Sequence, residues 1–93
     1  MNDVDHEVSI YFHSRLPVAR GGIEDDLEEA LAGYAEVVGG GSGVAGSHID
    51  LEFEETDPQA HLATIRRVLL EVGVGRDTVI QIGPHSHPLT EEP

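Results

Sequence analysis

The sequence predicts an α+β domain in which a four-stranded antiparallel sheet carries two helices on one face. Three observations lead there. Apolar residues alternate with polar ones over residues 7–13 and 48–54, they recur at helical spacing over 23–34 and 62–72, and the segments follow one another as strand, helix, strand, strand, helix, strand.

In Glu7-Val8-Ser9-Ile10-Tyr11-Phe12-His13 the residues Val8, Ile10 and Phe12 share one face, while Glu7, Ser9, Tyr11 and His13 share the other, as in a half-buried strand. After Leu16-Pro17 and a break at Gly21-Gly22, the spacing of Ile23, Leu27, Leu31 and Tyr34 predicts an amphipathic helix of about 12 residues. Its first turn is expected to hold Glu24, Asp25 and Asp26, where the helix dipole favours anions. Val37 and Val38 predict a short strand running into the glycines. From His48 the alternation returns: Ile49, Leu51 and Phe53 face one way, and His48, Asp50, Glu52 and Glu54 the other. Asp57-Pro58 marks a helix start, Leu62, Ile65, Leu69 and Val72 its buried stripe, and Gly73 its end. Residues 78–82 supply the last strand. Two right-handed crossovers of this kind give a ferredoxin-like βαββαβ sandwich, with the first strand antiparallel between the third and the fourth. One domain is expected over residues 1–93, with an ordered core of about 6–84 and a loosely ordered acidic tail at 85–93.

Composition excludes several functions. Eighteen Asp and Glu face five Arg and no Lys, a formal net charge of −13, so nucleic acid and anionic membranes would be repelled. The absence of cysteine removes disulfides, thiolate catalysis and cysteine-based zinc sites. No apolar run reaches the roughly 18 residues that a membrane span needs, and the N-terminus is acidic where a secretory signal is basic and then apolar, so a cytoplasmic location is expected.

Gly41-Ser42-Gly43-Val44-Ala45-Gly46 matches the letters of the dinucleotide fingerprint, but that motif needs a helix after it to present amides to a pyrophosphate. Here a strand follows, Glu36, Asp50 and Glu52 flank the run, and no Lys or Arg lies within ten residues on either side. Residues 39–47 are therefore expected to form a flexible hairpin tip.

Two constellations could carry chemistry. The face without helices would gather Glu7, Ser9, Tyr11, His13, His48, Asp50, Glu52 and Glu54, with alternate carboxylates about 7 Å apart along one strand. A solvated sheet face, a docking surface for a basic protein and a homodimer surface all fit it. Six histidines form the second group: His13 is expected near His48, while His6, His85 and His87, with Asp5 or Glu7, would suit Zn²⁺ or Ni²⁺. Catalysis has little to draw on, because the serines lack a nucleophile elbow and His61 has no evident partner in sequence.

Glu36, Gly39, Gly40, Gly41 and Gly43, the strand from Ile49 to Phe53, the Asp57 helix start with Leu62, Ile65 and Leu69, and Ile82-Gly83-Pro84 resemble a group of small bacterial proteins, mostly uncharacterised. These share a ferredoxin-like order and a glycine cluster after the second strand. The resemblance spans about residues 36–84 and implies no catalytic residues. By charge and size alone, the chain parallels immunity proteins and phage-encoded inhibitors, anti-CRISPR proteins among them, that cover basic sites of nucleic-acid enzymes. The expectation is a non-enzymatic protein without cofactor that docks on a basic macromolecule through Tyr11, Asp50, Glu52 and Glu54 and through Glu24, Asp25, Asp26, Glu28 and Glu29. The alternatives are a histidine-based metal protein and a self-associating module with a small ligand.

Overall fold

The computed structural model describes residues 6–43, 46–54 and 57–90. Its elements run in the order β1 (Glu7–Phe12), α1 (Arg20–Ala30), β2 (Ala35–Gly43), β3 (Gly46–Phe53), a 3-10 turn (Pro58–His61), α2 (Leu62–Val72), β4 (Val79–Ile82) and β5 (His85–Pro88). The strands form one antiparallel sheet in the order β2-β3-β1-β4-β5. β1 therefore lies between β3 and β4, as the order of the elements predicts. The sheet has five strands rather than four, because the hairpin loop at Gly83-Pro84 returns the chain along β4.

Val8, Ile10 and Phe12 of β1, Ile49, Leu51 and Phe53 of β3, and Ile80 and Ile82 of β4 all point to one side and are buried. Ile23 and Leu27 of α1 and Ile65 and Leu69 of α2 cover them, in one continuous core. Each such side chain withdrawn from water contributes about 1.5–3 kcal/mol. Leu89, just past β5, joins this core at 1% exposure, and Arg66 of α2 donates to the Pro88 carbonyl through Nε (3.1 Å) and Nη2 (3.0 Å). Residues 85–90, expected in a loose tail, instead pair with β4 over 85–88 and reach the core through Leu89.

Three further expectations change. α1 begins at Arg20, so Gly21 and Gly22 lie inside its first turn, and Glu24, Asp25 and Asp26 lie beyond it. Burial of Ile23 and Leu27 outweighs the helix cost of two glycines, about 1 kcal/mol each. The stripe also stops at Leu31: Tyr34 lies past the helix and is 48% exposed. The glycines 39–43 are paired strand residues of β2, with Gly39 opposite Asp50 and Gly41 opposite His48 after a bulge at Val38. Of the expected tip at 39–47, residues 44 and 45 lie outside the described residues.

The start and stop of the second helical segment follow the sequence. The Asp57 carboxylate accepts from the Gln59 amide at 3.0 Å, Pro58 opens the 3-10 turn that leads into α2, and Gly73 ends the helix at φ 93°. Asp57→Ala should cost about 1 kcal/mol, read as a lower urea midpoint at unchanged slope. A midpoint equal to that of the parent would remove the cap from the account of α2.

Candidate functional site

The sheet face turned away from the helices carries the polar half of each strand. Registry across the strands arranges it in rows. The first row is Gly41, His48, Tyr11 and Val79; the second is Gly39, Asp50, Ser9 and Gln81; the third is Glu36, Glu52 and Glu7. Alternation alone puts Glu52 and Glu7 on this face, while Glu36 joins them because the Val38 bulge shifts β2 by one residue.

The first two rows are knit together. Ser9 Oγ donates to Asp50 Oδ1 at 2.9 Å, His48 Nε2 stands 3.4 Å from Asp50 Oδ2, and the Tyr11 and His48 rings are 6.1 Å apart. The glycines opposite give these side chains room. A Cβ at Gly41 would meet His48 Cε1 at 3.1 Å, and one at Gly39 would meet Asp50 Oδ2 at 3.3 Å. Asp50 sits between Ser9 and His48, so the serine proton is held by the carboxylate and not by the imidazole. That order does not activate a serine, since activation needs the base next to the hydroxyl.

Among the described residues the third row has no such internal partners. Directly opposed side chains on neighbouring strands have Cβ atoms about 4.5–5.5 Å apart, and like charges there repel by about 0.2–1 kcal/mol per pair. Glu52 faces Glu7 on one side and Glu36 on the other. Glu54 continues the same side as an exposed residue just beyond β3. Tyr11 is 40% exposed and gives this face an aromatic surface.

The second acidic group lies elsewhere. Glu24, Asp25, Asp26, Glu28 and Glu29 ride on α1, in the layer across the sheet from Asp50 and Glu52. Glu24 is paired with Arg20 at 3.0 Å, Glu28 accepts from the Val37 amide at 3.2 Å, and Asp26 and Glu29 border a groove between α1 and α2 with Arg67 and Glu71. One flat partner surface cannot meet both groups. Arg20, distant in sequence from the glycines, donates to Ser42 Oγ at 2.9 Å, a contact no spacing rule signals.

The histidines divide as well. His13 and His48 line one shallow depression with Tyr11, as expected from the ends of β1 and β3. His6 and His85 border a cleft of about 500 Å³ with Asp57 and Gln59, and the Nδ1 of His6 is buried without a hydrogen-bond partner among the described residues. His85 and His87 point to the same side of β5, but His87 hydrogen-bonds Gln59 (3.3 Å) instead of lining that cleft. Among the described residues no group of three or more His, Asp or Glu is placed to hold a metal ion, and Asp5 lies outside them. His61 packs between the rings of Tyr34 (4.5 Å) and Phe53 (5.4 Å), so it has aromatic neighbours that its sequence context does not reveal.

No protein-family model, curated protein or solved structure matches the chain. Among the described residues no helix is long and apolar enough to cross a membrane.

Proposed function

We propose that the chain is a non-enzymatic binding protein that docks its uncovered sheet face on a basic macromolecular partner and blocks it. The observation that supports this most is the row Glu36, Glu52 and Glu7: three opposed carboxylates without helix cover, on a chain of net charge −13. Such a row is destabilising in the free protein and is relieved when lysines or arginines settle over it. Tyr11, Asp50 and Glu54 complete the contact, and the acids of α1 add long-range attraction that speeds encounter. The fold is a ferredoxin-like sandwich extended by β5. Its likeness to small bacterial proteins with a glycine cluster, and to immunity proteins or phage-encoded inhibitors, belongs to this same reading, as does a cytoplasmic location.

Replacing Glu52 and Glu54 by Lys tests it. Glu52→Lys places a cation between Glu7 and Glu36, so the double variant should be more stable than the parent, by about 0.2–1 kcal/mol per relieved pair. It should also lose the basic protein that the parent retains from a lysate of its source cell at low salt. Retention at undiminished yield by this folded variant would refute the sheet face as the docking surface.

A further inference from the structure

The two edges of the sheet are finished differently. β5 is four residues long, follows Pro84, ends at Pro88 and is held from behind by Arg66. Short length and proline both hinder the addition of another strand. β2 is nine residues long, contains neither proline nor lysine, and among the described residues pairs only with β3. Its outer side is a row of backbone groups without a strand beside them. The Val37 N–H donates to Glu28 Oε2 at 3.2 Å, so this amide is turned off the β3 ladder. The alternation of an antiparallel ladder then turns the Gly40 and Ser42 amides to the same edge.

Charge decides what fits there. Glu36 on β2, Asp50 and Glu52 on the neighbouring strand, and Glu24 and Glu28 of α1 border the edge, while the nearby Arg20 is already paired with Glu24. A second copy of the chain would bring its own net charge of −13 against these groups. From this we propose that the outer edge of β2 receives an extended basic segment of the partner protein, which adds to the five-stranded sheet as a sixth strand. Its backbone pairs with residues 39–43, and alternate lysines or arginines lie over Glu36 and Asp50. Pairing beyond the bulge requires Glu28 to release the Val37 amide, and a cationic side chain of the incoming strand takes up that carboxylate. The inference rests on the reading that the acidic surface meets a basic partner, and adds which part of the partner binds and by which groups.

Two synthetic peptides of about ten residues separate edge from face. Both carry the same lysines at alternate positions; one has threonine and valine between them, the other proline at two of those places. Titrated at low salt into the isotope-labelled full chain, the first should bind and slow hydrogen exchange at the Gly40 and Ser42 amides. The proline peptide, equal in charge but unable to donate at those positions, should bind about tenfold more weakly. Equal affinity, with shifts confined to the uncovered face around Asp50 and Glu52, would overturn strand addition and leave face docking standing. Unchanged exchange at Gly40 and Ser42 with both peptides would also overturn it, whereas face docking is judged separately by the lysate experiment. A dimer that itself protects these amides would overturn it in favour of a second copy of the chain.

Discussion

Replacing Gly46 by alanine is expected to remove about 3 kcal/mol or more from the stability of the fold. Gly46 opens β3 at φ 134°, a region that side-chain-bearing residues rarely adopt. A Cβ built there would lie 2.3 Å from the carbonyl oxygen of Phe12. The obstacle is backbone, and moving it disturbs the Phe12 and Ser47 end of the β1–β3 ladder, on which the core residue Phe12 depends. Gly41→Ala makes a useful comparison, because its new methyl would meet the edge of the His48 ring, which can turn aside. Urea denaturation should show a large loss for Gly46→Ala and less than about 1 kcal/mol for Gly41→Ala. Equal losses would mean that His48 is held as rigidly as the backbone of β1.

Leu89→Ala is the second large effect. Leu89 is 1% exposed and closes the core beneath β4 and β5, so truncation should cost about 2–5 kcal/mol, from lost burial and from the cavity left behind. Part of that loss should appear locally, because β5 is joined to the rest by the β4 ladder, the Arg66 contacts, the His87–Gln59 hydrogen bond and the adjoining Leu89. Hydrogen exchange in β4 should accelerate more in this variant than exchange in β3, whose neighbours β1 and β2 are untouched. A loss below about 0.5 kcal/mol, the range of surface substitutions, would place residues 85–90 outside the cooperative unit.

The strands and helices that commit apolar residues to a regular period were legible in the sequence. β1 and β3 alternate cleanly, α2 has Asp57 before it and Gly73 after it, and the strand order followed from the element order. β5 was not legible because His-Ser-His-Pro offers no apolar alternation; its place is set by Leu89, one residue beyond the strand, and by contacts from Arg66. The glycines of β2 read as a loop because glycine has no strand preference of its own. What makes them a strand is on the opposite strand, β3, where His48 and Asp50 use the space that glycine leaves. The site was legible to the same extent. Asp50, Glu52 and Tyr11 came from alternation, but the position of Glu36 in their row depends on a bulge, and the separation of the α1 acids from that row depends on the layers.

The contrast between the two sheet edges sets a limit on how large an assembly this chain can build. A sheet that is open at both ends is a monomer for polymerisation, since each added unit presents a new end of the kind just filled. With β5 shut by Pro84 and Pro88, the sheet formed by the described residues has one edge open to growth and none to pass growth on. Whatever fills the edge of β2, a peptide or another sheet, ends the chain of additions there. An addition at β2 would therefore give a discrete complex rather than a growing fibre, because the four residues of β5 at the far edge accept no further strand.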